Sequence, residues 1–264
     1  MSETLKIDKA MEDIRDVQLH QVKMLTLLDK LLQKEGIQYF AIGGTALGAI
    51  RHQGFIPWDD DIDLAMLRPD YEKFLKVQDK LPKNLFLISH KSNKNYPLFF
   101  PKILDKNTYF LDKSLKKYDI PRHVFVDIFP WDNISHWQKL RKKLRITNKR
   151  FKRTIYKKHG SLSDKAKYVM YKGLYLCKNS EYFYSKMTAL LQESEKESTD
   201  LWGDASYNDV LVYDDIFPLR KVPFEDTHIY IPNQCEKYLQ HKYGDYMKIP
   251  EVKDRINHST LSSK

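Results

Sequence analysis

Residues 38–66, QYFAIGGTALGAIRHQGFIPWDDDIDLAM, decide the fold of this chain. The run at 38–42 is made of β-forming residues, and the glycine-rich 43–45 interrupts it. Residues 46–51 have the composition of a brief helix, and 61–66 alternate as in a second strand. The stretch therefore predicts a strand, a glycine turn, a short helix, a loop and a second strand.

Two carboxylates lie at the start of the second predicted strand. Residues two apart on a strand share a face, so Asp61 and Asp63 are expected to point the same way. Neighbouring carboxylates repel unless a cation lies between them, and Mg²⁺ takes oxygen ligands while keeping positions free for substrate phosphates. A D-x-D pair alone is more typical of a solvated turn. The helix N-terminus after Gly43-Gly44, where a phosphate can approach the backbone, favours a metal–phosphate site instead.

The Gly-Gly turn followed by D-x-D resembles the signature of the nucleotidyltransferase fold. The longer string GGTALGAIRHQGFIPWDDDIDLAM is similar to the LicD family of phosphocholine transferases, which is related to the fukutin proteins. The resemblance implies an α+β fold, with a nucleotidyltransferase-like mixed β-sheet core flanked by helices. It also implies one or two Mg²⁺ ions, with Mn²⁺ as an alternative.

Two further charged residues lie inside apolar runs. Residues 122–130, RHVFVDIFP, predict a strand whose lone carboxylate, Asp127, is expensive to bury unless it is paired or bound to a metal. By itself Asp127 would be read as a strand-end residue, but the resemblance implies that it joins Asp61 and Asp63 in an acidic triad. Residues 96–104, YPLFFPKIL, read as another strand, and Pro101 within it suggests a sheet edge or a bulge. Lys102 is the one cation in this run, so it should meet an anion or reach solvent at such an edge. Its K-I-L-D-K-N-T context resembles the family pattern, which implies a contact with substrate phosphate.

Composition limits the class of protein. The chain has 264 residues, 42% hydrophobic and 30% charged, enough for one large domain or a core with an extension. No apolar run is long enough to span a bilayer and the N-terminus is too polar for a signal peptide, so we expect a cytosolic protein. Its two cysteines, Cys177 and Cys235, predict no disulfide framework. The net charge of +10 indicates an anionic partner, and nucleic acid is not expected because no zinc finger or RNA-binding signature is present.

The chain divides by composition into three parts. Residues 1–132 are expected to form the catalytic core, including an amphipathic helix over 8–35 that packs on the sheet. Residues 133–200 read as a helical insertion that begins with eleven Lys or Arg and no Asp or Glu over 133–163. This basic segment is either a solvated helix face or a surface for peripheral contact with an anionic membrane or polymer. Residues 201–264 predict a small C-terminal α+β part that completes the active-site region.

The resemblance implies displacement at phosphorus in a CDP-alcohol, with CDP-choline as the donor. A sugar hydroxyl of a lipid-linked teichoic acid or lipopolysaccharide precursor attacks, and CMP leaves. Positioning and charge neutralisation supply most of the catalysis in such reactions. A donor carrying ribitol or glycerol, a nucleotidyltransferase that adds NMP, and a non-catalytic binding protein are the alternatives.

Roles for individual residues follow from this reaction. The acidic triad would hold the metal, and Asp127 could accept the proton of the attacking hydroxyl. Choline requires aromatic walls because its quaternary ammonium has no hydrogen-bond donors. Gly43, Gly44 and Thr45 would cradle the phosphate oxygens, and Lys102 would contact phosphate as well. Arg51 would neutralise negative charge, with a surface salt bridge as its alternative role. Trp58 and Trp131 would form the aromatic walls, although each could instead belong to the core. The YGDYM string resembles family C-terminal features and makes Tyr243 and Asp245 further candidates.

Overall fold

The computed structural model describes residues 14–155, 162–175, 178–204, 209–251 and 255. Predictions for residues 8–13, for Cys177 and for a disordered tail at 257–264 lie outside these ranges. The helices are α1 Ile14–Lys34, α2 Gly43–His52, α3 Arg68–Val77, α4 Trp137–Thr154, α5 Leu162–Leu174, α6 Ser180–Ser194, α7 Tyr213–Ile216 and α8 Cys235–Tyr243. The strands are β1 Phe40–Ala41, β2 Asp63–Leu67, β3 Leu85–Ile88, β4 Lys102–Asp105, β5 Phe125–Asn133, β6 Leu201–Asp204, β7 Asp209–Val212, β8 Arg220–Phe224 and β9 Thr227–Ile231.

A mixed sheet forms the core, and β5 is its central strand. The order is β1-β2-β5-β4-β3, with β5 parallel to β2 and antiparallel to β4. The far end of β5 pairs with β6, which in turn pairs with β7, while β8 and β9 form a separate hairpin. All nine residues of β5 are buried, which a strand enclosed on both faces requires. The predicted α+β class, with a mixed sheet flanked by helices, is confirmed.

The deciding stretch folds as β1, α2 and β2, with shifted boundaries. Helix α2 begins at Gly43, so the glycines are its first turn and not a turn ahead of a helix at Ala46. Strand β2 begins at Asp63, so Asp61 lies in the segment that leads into the strand. The side-chain alternation that was expected to align the two carboxylates therefore does not apply to Asp61.

Helix α1 packs on the sheet through one apolar face, as the sequence predicts. Val17, Leu25, Leu28 and Leu32 on this face have no exposed surface. Burying each such side chain stabilises the fold by about 1.5–3 kcal/mol. Gly36 follows the helix in the left-handed region, at φ +63°, where a helix end favours glycine.

The strand predicted for residues 96–104 is shorter than expected. Only β4 forms, and Pro101 immediately precedes it. Because β4 is paired on one side with β5 and on the other with β3, the expectation of an edge position is wrong. Proline is tolerated here because it stands ahead of the first ladder residue.

Helices α4 and α6 pack against each other beyond the core sheet. Buried Leu144 and Phe151 of α4 meet the apolar side of α6, which includes Phe183 and Met187. Helix α8 returns from the C-terminal part to contact α2. Within the described ranges, no helix combines the length and apolar character needed to cross a membrane.

Candidate active site

Three charged side chains form a row across neighbouring strands. The register of β2 and β5 places Asp63 opposite Asp127, and the register of β5 and β4 places Lys102 opposite the same residue. Cross-strand partners lie about 4.5–5.5 Å apart, close enough for their charges to interact directly. The sequence suggested each charge separately, and the pairing of the three strands brings them together.

Asp61 completes the cluster from outside the strand. One carboxylate oxygen from each member of the acidic triad can be chosen so that all lie within 4.8 Å of one another. The backbone N–H of Asp127 donates to the carbonyl of Ile62 at 2.8 Å, which fixes the segment carrying Asp61 against β5. Asp59, Asp60 and Asp61 satisfy the same distance criterion, so Asp61 is common to two groups of carboxylates.

Burial and mutual repulsion govern the protonation of these carboxylates. Burial raises the pKa of Asp63 well above its usual range, and the charges of Asp61, Asp127 and Asp59 raise it further. Burial raises the pKa of Asp127 to about 7, against the lowering effect of Lys102. Burial and the adjacent carboxylates likewise raise the pKa of Asp59. A divalent cation would remove the repulsion, so the cluster is arranged as a cation site would be.

The donor set fits a hard cation. It offers carboxylate oxygens, without sulfur or imidazole, and such oxygens are the ligands Mg²⁺ and Mn²⁺ prefer. Three protein carboxylates also leave coordination positions for substrate oxygens, as Mg²⁺ sites for phosphate substrates require.

Gly43 and Gly44 let two aspartates approach the start of α2. Gly43 has φ +57°, and a Cβ on it would lie 3.1 Å from Oδ2 of Asp63. A Cβ on Gly44 would lie 2.5 Å from Oδ2 of Asp59, well inside contact distance. The glycines were predicted to admit a phosphate, and that remains a prediction. The structure gives them a nearer role, which is to admit the carboxylates.

Thr45 and Tyr238 fasten the start of α2 to its surroundings. The Thr45 hydroxyl accepts the backbone N–H of Asp63 at 2.8 Å and so holds the first residue of β2. The N–H of Gly43 donates to the Tyr238 hydroxyl at 2.9 Å, and that hydroxyl donates to Asp209 at 3.1 Å. Lys242 forms an ion pair with the same Asp209 carboxylate. Sequence reasoning missed Tyr238 and Asp209, because 195 residues separate Tyr238 from Gly43.

Two buried glutamines of α1 hold the acidic segment in place. The Gln18 side chain donates to the carbonyls of Ile56 and Asp59, at 3.3 and 2.8 Å. The Gln21 side chain donates to the carbonyl of Asp60 at 2.9 Å and also bonds to β5. We predicted only core packing for this helix. Two amides at helical spacing on its apolar face were the signal that the prediction overlooked.

Lys102 is buried against Asp127. Its Nζ lies 2.8 Å from Oδ1 and 2.9 Å from Oδ2 of Asp127, and 3.3 Å from the centre of the Phe125 ring. Only 5% of the residue is exposed, so the solvated-edge alternative is wrong. The anion that it meets is a triad carboxylate. A contact with substrate phosphate stays a prediction.

Arg51 lies at the end of α2 away from the triad. Its Nη1 donates to the carbonyl of Tyr246 at 2.7 Å and to that of Lys248 at 3.3 Å, and its Nε donates to His52. Burial lowers the pKa of Arg51. The surface salt bridge considered for Arg51 is replaced by these carbonyl contacts, which secure the chain after α8.

The two candidate tryptophans differ in accessibility. Trp131 has no exposed surface and packs edge-on against Phe40, with ring centres 5.1 Å apart. The expectation that Trp131 lines a choline pocket is therefore corrected: it is a core residue. Trp58 is half-buried, and the Arg255 guanidinium lies over its ring at 4.3 Å. The face of Trp58 can thus accept a cation.

Tyr243 lies at the acidic cluster, whereas Asp245 does not contact it in the described structure. A Cβ on Gly43 would lie 4.0 Å from the Tyr243 hydroxyl. Burial raises the pKa of Tyr243, and the charges of Asp209 and of the neighbouring acidic residues add to that effect. An aromatic side chain of α8 therefore lies beside the acidic cluster.

The residues of this cluster lie in a part of the chain that is similar to a known protein family. Residues 36–159 match the family model described as LicD/FKTN/FKRP, nucleotidyltransferase domain. This match contains α2, β2, β4 and β5, and thus every member of the acidic triad together with Lys102. Residues 36–159 are therefore similar to a nucleotidyltransferase domain, and the mixed sheet is consistent with that fold.

The similarity extends beyond that domain. The lipopolysaccharide cholinephosphotransferase LicD of Haemophilus influenzae is 29% identical over 268 residues, covering 93% of this chain and 95% of its own length. An uncharacterised protein of Rickettsia typhi is 34% identical over 39% of this chain and 31% of its own. Another, from Rickettsia prowazekii, is 30% identical over 37% of this chain and 39% of its own. The predicted resemblance to the LicD family is confirmed, and so is the predicted phosphotransferase class.

Proposed function

We propose that this chain transfers phosphocholine from CDP-choline to a sugar hydroxyl of a lipid-linked teichoic acid or lipopolysaccharide precursor and releases CMP. The observation that carries the proposal is the convergence of Asp61, Asp63 and Asp127 on one point. The full-length similarity to a lipopolysaccharide cholinephosphotransferase supports the choice of choline.

The acidic triad would hold Mg²⁺, which supplies charge neutralisation at the diphosphate. The hydroxyl oxygen of the sugar forms a bond to the distal phosphorus, and the bond from that phosphorus to the bridging oxygen breaks. CMP departs with the electron pair. Asp127 is suited to accept the hydroxyl proton, because burial raises its pKa to about 7, near the pH at which such a base works best.

Lys102 sets the charge of that base. Its ammonium, held against both oxygens of Asp127, opposes the effect of burial and keeps the carboxylate available. Gln18, Gln21 and Thr45 orient the aspartates through the backbone. Phosphate oxygens would meet the N-terminus of α2, where the helix dipole favours negative charge.

The choline group would bind to Trp58 and Tyr243, the candidate aromatic residues that are not fully buried. Trp58 presents a ring face on which a guanidinium already lies, and Tyr243 reaches the edge of the acidic cluster. A quaternary ammonium binds to aromatic faces through the ring quadrupole. Trp131 is excluded from this role by its burial.

A donor screen tests the proposal. Purified protein with Mg²⁺ and an acceptor precursor is offered CDP-choline, CDP-ribitol, CDP-glycerol or each of the four nucleoside triphosphates, and nucleotide release is measured. We expect CMP from CDP-choline, abolition of the reaction by EDTA, and loss of turnover by at least about a thousandfold in Asp63→Asn, as when a principal electrostatic group is removed. Asp79→Asn, an exposed carboxylate outside the site, is the matched control. Consumption of a triphosphate instead would replace the proposal with NMP transfer.

A further inference from the structure

Helix α5 exposes apolar side chains along one side. Leu162, Val169, Met170 and Leu174 are 86%, 68%, 50% and 68% exposed. With 3.6 residues per turn, these positions share one side of the helix with the small residues at 166 and 173. We call this set, Leu162, Ala166, Val169, Met170, Gly173 and Leu174, the α5 stripe.

The opposite side of α5 faces the protein. Tyr168, Tyr171 and Tyr175 are partly buried there, and the Arg153 guanidinium of α4 lies 5.1 Å from the centre of the Tyr171 ring. The orientation of α5 is therefore fixed by packing of its tyrosine side. The α5 stripe is left pointing outward.

Cations border the stripe. By the same helical geometry, Lys165 and Lys172 lie on one shoulder of the α5 stripe and Lys167 on the other, and all three are exposed. Helix α4, in contact with α5, carries nine Lys or Arg and no Asp or Glu. Six of these cations are exposed: Lys139, Lys142, Lys143, Arg145, Lys149 and Arg150.

We propose that the α5 stripe and the basic face of α4 form a docking surface for an anionic lipid bilayer. An apolar stripe edged by lysines matches a helix lying in the headgroup region, where apolar side chains enter the acyl boundary and lysines reach the phosphates. Each cation held near an anionic membrane adds to the attraction. A second copy of this chain is a poorer occupant, because it would bring one positive surface against another.

The α5 stripe follows the matched catalytic domain, which ends at residue 159, whereas the basic face of α4 belongs to the end of that domain. The inference rests on the proposed function only in that a lipid-linked acceptor would be met at such a surface. The acidic cluster and the docking surface are on different elements, so binding to lipid can be measured without substrate.

The test is co-sedimentation of the full chain with vesicles. Vesicles of phosphatidylcholine alone are compared with vesicles of equal parts phosphatidylcholine and phosphatidylglycerol. We expect binding to the anionic vesicles only, and weaker binding as salt rises. Val169→Glu/Met170→Glu should reduce the partition coefficient at least about tenfold, since it removes two apolar insertions and adds two repelled charges. Leu19→Glu, an exposed leucine of α1, is the matched control.

A second variant tests the charge contribution. Lys165→Ser/Lys172→Ser leaves the α5 stripe intact and is expected to lessen the salt dependence. Equal binding by wild type and Val169→Glu/Met170→Glu would overturn the inference, as would absence of wild-type binding. Self-association of the wild type that this double variant abolishes would overturn it in favour of a second copy.

Activity separates the two proposals. With a water-soluble acceptor, the glutamate variant should release CMP at the wild-type rate, because the α5 stripe does not touch the site. If neither protein releases CMP from CDP-choline, the proposed function fails while the membrane result stands. If both release CMP and both bind vesicles equally, the function stands and the docking surface fails.

Discussion

Replacing Gly43 with alanine tests whether the first turn of α2 sets the geometry of the triad. Gly43 has φ +57°, and a left-handed alanine is destabilised by about 1–2 kcal/mol. The new Cβ would also lie 3.1 Å from Oδ2 of Asp63, so that carboxylate must move by a few tenths of an ångström. For a chain of this size, we expect Tm to fall by about 2–8 °C. We expect kcat/KM to fall at least about tenfold, because reacting groups tolerate little displacement.

Substitutions at two other glycines separate the effect of backbone strain from the effect of a close side-chain contact. Gly36→Ala meets φ +63° but has no atom within 4 Å of its Cβ, so it should lower Tm to a similar extent and leave kcat/KM unchanged. Gly44→Ala has no positive φ, yet its Cβ would lie 2.5 Å from Oδ2 of Asp59, so activity should fall more than stability. The measurements are thermal unfolding and steady-state CMP release. If Gly43→Ala lost no more activity than Gly36→Ala, the claim that this glycine makes room for Asp63 would be refuted.

Three further perturbations have expected outcomes. Gln21→Leu leaves two buried carbonyls without their donor and should destabilise the protein by about 2–4 kcal/mol in denaturant titrations, whereas Gln33→Leu, an exposed control, should change little. Lys102→Met removes an ammonium that lowers the pKa of Asp127, so the acidic limb of the kcat/KM–pH profile should move upward, while Lys80→Met, which breaks an exposed pair, should leave the profile in place. Burial raises the pKa of Asp127 from 3.8 to about 7, so its contribution to stability is full below the lower value and lost as pH rises through the higher one. As pH rises from 3.8 to about 7, the Tm of the metal-free protein should therefore fall, and the Tm of Asp127→Asn should fall less. Mg²⁺ should restore the Tm of the wild type at the upper end of this range, and calorimetry measures all three effects. A difference in Tm between the two proteins that stays constant with pH would contradict the raised pKa of Asp127.

The local sequence identified the residues of the acidic cluster better than the bounds of the elements that carry them. An aspartate pair after a glycine turn, and a lone carboxylate in an apolar strand, marked the three residues that the structure brings together. The starts of α2 and β2 were misplaced because hydrogen bonding fixes element ends more than residue type does. Asp61 reaches the cluster from an irregular segment, a placement that strand periodicity cannot supply.

The supporting contacts were not predictable from local patterns. Gln18 and Gln21 donate to backbone carbonyls, and the positions of backbone carbonyls cannot be read from residue types. Tyr238 reaches Gly43 only because α8 packs on α2. Trp131 looked like a pocket wall because it is near Asp127 in sequence, but only the packed sheet shows that Phe40 covers it.

The hydrogen bond from Gly43 to Tyr238 affects which truncated forms of the protein can be active. A fragment cut at the limits of the matched domain, 36–159, would keep every member of the acidic triad and still lack the hydroxyl that receives the Gly43 N–H, as well as both glutamines of α1. We therefore expect an active fragment to include α1 and α8. Expressed alone, residues 36–159 are expected to keep the acidic cluster and to show no turnover.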